Sequence, residues 1–495
     1  MRMLPRFMVA CLLATSSACA AASTSGSAEL LQHGQASVTV RPARSAPVAP
    51  SAASSSPSAD VTASARPQPP SAGRLNKRPA IVDDVPAALV LARRENKPAV
   101  VVDVWAPWCH TCLSMKHFVL PDPALNPVFE RAVFATVDSD RVQNAPFMER
   151  YAVNAWPTFF VLDAKTGKLL GMWEGAASVE ELRDTVTHAI DSVDATPGSS
   201  LALMLSGQQA LAGADYAKAS RHYRAALRRG GPAWTRRSEA LFGWIRAEQR
   251  QRHVGKCAQI GVKHVEEVVG AAVPTDFVWV MMNCGEDVRD KALARRTFAA
   301  AGTRLRRHVR RPPASASVDD RSDALSLYAR LLRRAGKQEA ARSVRREQLA
   351  ILEEAAGGAP TSAMAATFDY ARLGAYLALG QGRRAVKMLR RRVEQLPDSY
   401  EPRARLAQAL RSLGRTEAAL VAIDGAVQLA YGPRRIRYLD TRADLLRKLG
   451  RVQEERAALQ ALLEAYAALP EKQRRGRSWK QLASSARRRL ATLGP

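Results

Sequence analysis

The stretch from Ala99 to Cys112, Ala-Val-Val-Val-Asp-Val-Trp-Ala-Pro-Trp-Cys-His-Thr-Cys, restricts what this 495-residue chain can fold into more than any other part of it. Its first seven residues, Ala99 to Trp105, are apolar and β-branched around one carboxylate, the pattern of a buried strand. Leu113 to Val119 then reads as a helix with Met115 and Phe118 facing inward. Two thiols separated by two residues can close a disulfide if the backbone turns between them, and the first turn of a helix supplies that turn. Cys109 is expected at the exposed helix start, where unpaired N–H groups converge and their partial positive charge favours thiolate. A zinc site would need two further ligands, and no second Cys pair lies nearby. The spacing is that of a redox dithiol.

The segment resembles the active-site region of the thioredoxin superfamily, which commonly carries Asp and then Trp-Ala-x-Trp-Cys-x-x-Cys. Asp103 lies six residues before Cys109 and matches the family's buried carboxylate, and Trp105 and Trp108 match its tryptophan pair. Trp156-Pro157-Thr158 resembles the family's cis-proline segment, which faces the dithiol and docks substrate backbone. The resemblance spans about residues 81–195. With Met115 after the dithiol and the insert Pro121-Asp122-Pro123, it is closer to periplasmic thioredoxin-like domains that relay electrons than to cytosolic thioredoxin. It implies an α/β thioredoxin fold, protein-disulfide reductase or related thiol–disulfide oxidoreductase activity, and disulfide-containing client proteins. The Cys109–Cys112 couple would be the redox centre, with no further cofactor and no metal.

Within that chemistry Cys109 fits the nucleophile, with His110 adding positive charge when protonated, and Cys112 fits the resolving thiol. Asp103 is positioned to take a proton from Cys112 through a water, its pKa raised by desolvation. Trp108, His110, Trp156, Pro157 and Thr158 are the expected substrate contacts. There are departures. Many thioredoxins place a Lys near the buried Asp, and the matching position here is Phe134. The strongest oxidants of the superfamily carry His immediately before the second Cys, whereas Thr111 stands here, which tilts the expectation toward a reductant or relay. Trp156 either narrows which substrates dock or packs beside Trp108.

The chain start, Met1 to Ala20, reads as an export signal: Arg2 and Arg6, an apolar run from Phe7 to Ala14, then small residues. Two processing outcomes compete, cleavage after Ala20 or lipidation of Cys19, the latter giving a membrane tether. Either outcome predicts a periplasmic or outer-envelope location and an electron donor in the membrane or envelope. Residues 21–80 are Ala-, Ser- and Pro-rich without apolar period and are expected to be a disordered linker.

A helix is expected from Pro86 to Glu95, strands at Val133 to Asp138, Thr158 to Leu162 and Leu169 to Trp173, and a last helix opened by the capping box Ser178-Val179-Glu180-Glu181. Residues 196–495 carry only helical pattern, rich in Ala, Leu and Arg. Leu379-Gly380 is followed 34 residues on by Leu413-Gly414 and 36 later by Leu449-Gly450, with Ala385 and Ala419 each five residues after the glycine and Ala426 following Ala419. Asp215-Tyr216, Ala219, Tyr223 and Ala226 resemble the second helix of a tetratricopeptide repeat, and Gly336 with Ala341 is a weaker copy. Degenerate tetratricopeptide-like repeats and an irregular helical bundle both fit. Cys257 and Cys284, 27 residues apart, are either core thiols or a structural disulfide.

Charge divides the chain. Residues 81–195 hold 10 Lys and Arg against 16 Asp and Glu, and residues 196–495 hold 56 against 28. A solvated helical surface and a face for an anionic partner both fit that excess, but no aromatic-interleaved basic groove or nucleic-acid motif accompanies it. Two functions remain. One is an exported oxidoreductase whose repeats bind a protein partner; the other is a repeat-based scaffold in which the thioredoxin fold is a binding module.

Overall fold

The structure is a computed structural model that describes residues 80–192 and 196–494. The expected export signal with Cys19, and the linker as far as residue 79, lie outside the described residues. Five strands make one sheet: β1 (Ile81–Val82), β2 (Ala99–Trp105), β3 (Ala132–Asp138), β4 (Thr158–Asp163) and β5 (Leu169–Glu174), in the order β1-β3-β2-β4-β5. β3 runs parallel to β1 and β2; β4 runs antiparallel to β2 and β5. The valines of β2 are buried from Val100 to Val104 because this strand is central and covered on both faces. β1 was not expected, since two residues are too few to show a period.

The first helix, α1 (Val85–Arg94), is opened by Asp84, whose Oδ1 accepts from the Ala87 N–H at 2.9 Å. α2 (His110–Ser114), α3 (Asn126–Arg131) and α4 (Ala145–Arg150) follow within the sheet connections. α5 (Val179–Asp191) begins at the expected capping box: the Glu181 N–H donates to Ser178 Oγ at 3.1 Å and the Ser178 N–H to Glu181 Oε2 at 2.8 Å. α1 packs on β2 and β3, and α5 on β4 and β5. This mixed α/β sheet, followed by an all-α region, is the fold class the dithiol motif and the helical pattern implied.

The helical region comprises α6 (Ser200–Ala212), α7 (Tyr216–Gly230), α8 (Arg237–Arg250), α9 (Val254–His264), α10 (Val273–Asp287) and α11 (Lys291–Arg310). It continues with α12 (Val318–Arg334), α13 (Gln338–Gly357), α14 (Ser362–Ala366), α15 (Asp369–Ala378), α16 (Gly382–Gln395) and α17 (Tyr400–Ser412). α18 (Thr416–Leu429), α19 (Gly432–Lys448), α20 (Val452–Ala467), α21 (Glu471–Arg474) and α22 (Arg477–Thr492) complete it. Long helices next to one another in sequence pack pairwise, and Ala219, Ala226, Ala385, Ala419 and Ala426 are fully buried where they cross.

The turns between paired helices share one construction. After α12, α15, α17 and α19 the chain passes through Gly336, Gly380, Gly414 and Gly450, each at φ between 71° and 73°. The next residue's N–H then reaches the carbonyl five positions back, Lys337 to Leu332, Gln381 to Tyr376, Arg415 to Leu410 and Arg451 to Leu446, at 2.8–3.0 Å. This bond satisfies a carbonyl the helix end would leave open. The same closure ends α6 and α8, from Asp215 to Ala210 and from His253 to Glu248, but there Ala214 and Arg252 occupy the left-handed position at φ 60°. Those two turns carry no glycine at that position.

The change of pattern near residue 196 is not a break in the core. One apolar core runs from Val85 through the sheet and the early helices to Leu331, and a second from Leu349 to Ala486. α6 lies directly on β5: a Cβ at Gly171 would sit 2.9 Å from Ala189 and 3.3 Å from Leu205, and Gln208 Oε1 accepts the Met172 N–H at 3.0 Å. Phe118 departs from expectation. It does not face inward with buried Met115 but stacks on Phe368 at 5.6 Å, in a small cluster with Leu352. Cys257 on α9 and Cys284 on α10 are disulfide-bonded, with Cα atoms 6.0 Å apart.

Candidate active site

Cys109 is the N-cap of α2, whose first residue, His110, lies three residues before the expected start at Leu113. Its Sγ accepts the Cys112 N–H at 3.0 Å, and the two sulfurs are joined in a disulfide with Cα atoms 5.2 Å apart. Beyond Ser114 the helix widens into a π turn over Met115–Val119. The expectation that Cys109 is exposed is overturned: it is 5% exposed and Cys112 1%. Trp105, Trp108 and Trp156 pack on the pair, and the helical region covers this group through the side chains beside it.

Three contacts make that cover. His110 Nδ1 meets Asp319 Oδ1 of α12 at 3.0 Å, and its ring stacks on Tyr370 of α15 with centroids 4.9 Å apart. Arg434 of α19 lies over the Trp108 ring at 4.2 Å. The loop after β3 is the third: Trp108 Nε1 donates to Asp140 Oδ2 at 2.8 Å, Trp156 Nε1 to Ser139 Oγ at 3.0 Å, and Tyr431 Oη to Asp138. That loop is pressed onto the start of α19. A Cβ at Gly432, which sits at φ 52°, would lie 2.1 Å from the Asp140 carbonyl oxygen, so only glycine fits.

Trp108 and Trp156 pack with centroids 5.3 Å apart, and both lie against the dithiol. The Trp156-Pro157 peptide is cis. Thr158, fully buried, opens β4 and donates from Oγ1 to the Ala155 carbonyl at 2.8 Å.

Electrostatically, the site holds its protons against the usual order. Asp103, 3% exposed and in register between Thr136 and Phe159, is pushed up to about 7 by burial, with the Lys116 ammonium opposing. Its Oδ1 has no hydrogen-bond partner. Lys116, on the π turn and 4.8 Å from the Trp105 ring centre, supplies the cation whose expected position is filled by Phe134. Burial disfavours the His110 imidazolium, but the carboxylates of Asp319 and Asp323 outweigh it and lift His110 to about 9. Burial raises Asp140 to about 6, opposed by the Trp108 hydrogen bond. A cation is thus held beside Cys109 at neutral pH, and an acid able to exchange a proton is held in the strand beneath. His110, Asp319 and Asp323 also bring ligand atoms within 4.8 Å of one another, enough for a metal ion to be accommodated.

Residues 85–190 match the family model of the thioredoxin-like domain. This part of the chain is a thioredoxin-like domain. A protein disulfide-isomerase 1 of Dictyostelium discoideum is 32% identical over 89 residues, 18% of this chain, so the match spans about a quarter of that protein (24%). Solved structures similar to the helical region include a tetratricopeptide repeat protein from Parabacteroides merdae, with TM-score 0.38 and 9% identity over 58% of this chain and 98% of that one. The repeat domain of yeast Sti1 in its complex is 14% identical, with TM-score 0.21, over 58% of this chain and 98% of that one.

The structure brings Cys109, Cys112, Trp108, His110 and Trp156 together and sets Asp103 in the strand that leads to them. Cys257 and Cys284 lie elsewhere, as a bridge inside the helical stack. Sequence reasoning missed Lys116, Asp140, Asp319, Asp323, Tyr370 and Arg434. The one trace of the α12 group is the acidic knot Asp319-Asp320-x-x-Asp323 in an arginine-rich stretch, which nothing in the sequence ties to a partner 209 positions away.

Proposed function

We propose that this chain is an exported thiol–disulfide oxidoreductase that reduces, or relays electrons to, disulfides of cell-envelope proteins through Cys109 and Cys112. The observation that carries the reading is the pairing of a dithiol at a helix N-cap with a neighbouring imidazole lifted to about 9. In the reduced protein, the Cys109 thiolate attacks one sulfur of a client disulfide; a mixed disulfide forms and a client thiolate leaves. Cys112 gives its proton to Asp103 and attacks Cys109 Sγ, which closes the Cys109–Cys112 disulfide and releases the second client sulfur as a thiolate. Asp103, raised to about 7, suits both accepting and returning that proton near neutral pH. An envelope electron donor then reduces the pair again. Trp108, Trp156 and Pro157 are the residues against which the client backbone is held; Thr158, an expected contact, has its side chain fully buried beneath them. The helical region selects the partner.

Insulin reduction by the wild-type protein, abolished in Cys109→Ser, supports this assignment, and equal turnover in both proteins removes it. Mass analysis of the N-terminus from the native host tests export: a lipidated Cys19 or a free Ala21 is expected, and intact Met1 on cytoplasmic material contradicts it.

The 5% exposure of Cys109 favours one other reading, a scaffold in which the thioredoxin-like domain only binds. A reduced protein that binds clients but turns over no disulfide decides for that alternative.

A further inference from the structure

Beside the dithiol lies a cavity of about 100 Å³ that Thr111 and Trp156 border on one side. Its other walls come from the end of β5 and from α8, α10 and α12. They bring in Glu174, Asp276, Asp320 and Asp323 against one guanidinium, that of Arg246. In a helical region where basic residues outnumber acidic ones two to one, 56 to 28, this is a local inversion of charge next to the redox pair.

The resident guanidinium does not neutralise the group. Arg246 Nε lies 3.5 Å from Glu174 Oε2, while its terminal nitrogens donate to the Asn154 carbonyl at 3.0 Å and Gln249 Oε1 at 3.3 Å. The Asp276 carboxyl makes no hydrogen bond or ion pair among the described residues, and it lies so close to the end of β5 that a Cβ at Gly175 would be 2.7 Å from its Oδ2. Three polar side-chain atoms on the lining are buried and have no hydrogen-bond partner: Glu174 Oε1 and Thr275 Oγ1, in residues 8% and 6% exposed, and the donor Arg246 Nε, which faces Glu174 beyond hydrogen-bond geometry. Buried acceptors left open cost free energy unless a donor reaches them, and an acceptor-rich wall calls for a cationic donor. The rim is aromatic. Trp279, 44% exposed, stands at the solvent side, and Trp156 at the dithiol side. An aromatic rim over a carboxylate floor suits an ammonium or guanidinium on an aliphatic stem.

We propose that this cavity is a specificity site that takes a lysine or arginine side chain of the client polypeptide whose disulfide is presented to Cys109. The proposal rests on the oxidoreductase reading and adds the substrate class: clients with a basic residue close to the reactive cystine. The volume, about three waters' worth, matches the head and last methylenes of such a side chain. Burial, with repulsion from the neighbouring acids, pushes Asp276 up to about 8, so the site without a client holds a proton there that an entering cation displaces.

The test uses the reduced full-length protein and short synthetic peptides, each with one cysteine disulfide-linked to a reporter thiol. Lysine, arginine, norleucine or glutamate is placed in turn at each position flanking the cysteine. A small uncharged disulfide, bis(2-hydroxyethyl) disulfide, serves as reference. At one or more positions the lysine and arginine peptides should react about tenfold faster than norleucine, with glutamate slowest. Asp276→Asn and Glu174→Gln should each cut that preference to about twofold or less and leave the reference rate unchanged. Equal rates for lysine and norleucine at every position, or a preference that survives both substitutions, overturns the proposal. If not even the reference disulfide is reduced, the oxidoreductase reading has failed separately. The cavity is then judged by binding alone: a lysine peptide bound more tightly than its norleucine twin, with the difference lost in Asp276→Asn, supports it, and equal binding overturns it. Both substitutions are isosteric, and a melting curve identifies either variant that fails to fold.

Discussion

The imidazole of His110 is held at 3.0 Å by the carboxylate of Asp319, 209 positions later in the chain. One residue of the dithiol motif is thereby electrostatically owned by the helical region. Asp319 is 2% exposed and has no freedom to turn away. The His110 charge that favours a Cys109 thiolate is set from outside the thioredoxin-like domain.

Replacing Asp319 with Asn should therefore act on the thiol. With one of its two carboxylates gone, His110 falls back toward neutrality at pH 7, and the pKa of reduced Cys109 rises by about one unit. Thiolate absorbance against pH measures it. The stability side has a definite sign: the folded pKa of about 9 exceeds the ordinary 6.5. The contact contributes fully below pH 6.5 and is lost as pH climbs through 9. The substitution should destabilise the protein at pH 6 and make little difference at pH 10.

Order of attack is tested by trapping. Cys112→Ser leaves the mixed disulfide on Cys109 unresolved, so covalent client complexes accumulate; Cys109→Ser abolishes them. Non-reducing electrophoresis reads both. Capture by Cys109→Ser but not by Cys112→Ser reverses the assignment.

Asp103→Asn should slow resolution while leaving capture nearly intact, since a base is needed only in the second step. Rapid-quench separation of the two phases shows which is affected. The same substitution should stabilise the fold. A carboxyl raised from 3.8 to about 7 holds a proton that the unfolded chain has already released, so wild-type stability falls between those pH values and stays lowered above them. Asp103→Asn should remove that slope and gain a few kcal/mol at pH 8, read from denaturant curves.

The Cys257–Cys284 bridge closes 27 residues of α9 and α10. Its removal as a double alanine should cost about 2–4 kcal/mol of stability and leave the reactivity of Cys109 unchanged. Chemical denaturation and a thiol-exchange rate measure the two halves.

Two glycines in neighbouring helix pairs should respond with opposite signs. Gly414, at φ 71°, closes its turn in the left-handed region, and Gly414→Ala should destabilise by about 1–2 kcal/mol. Gly374 lies exposed inside α15, and the place a Cβ would take there has no neighbour within 4 Å. Gly374→Ala should therefore stabilise by about 0.5–1 kcal/mol. Thermal melts of the pair suffice.

The strand, the dithiol and the Ser178 capping box could be read from sequence because each is a local pattern with a local cause, whereas the cis proline was expected from the resemblance of Trp156-Pro157-Thr158 to the thioredoxin superfamily. The spacing of the repeat was readable where its turns use glycine. Ala214 and Arg252 hold the same conformation without the residue that advertises it, so among the early pairs only α7 was recognised, from its own Tyr and Ala positions and not from its turn. The helical cover beside the dithiol and the company of His110 could not be read at all. They arise from side chains on α12, α15 and α19, whose approach is fixed by packing and not by any neighbouring residue. Lys116 was hidden for a different reason: it reaches Asp103 from the π turn, where the family precedent directed attention to Phe134 on β3.

The seating of α6 on β5 bears on what counts as one piece of this molecule. The Met172 amide, the Gln208 carboxamide and the Gly171 backbone form a seam inside a single apolar core. A polypeptide ended at the family boundary near residue 190 would present that strand face to water, with an amide donor open. The segment that matches the family model and the segment that shares one core are different here: the core reaches from the sheet to the neighbourhood of Leu331. Through α6 the helical region is therefore built onto β5, which pairs with β4, which in turn pairs with the strand bearing Asp103.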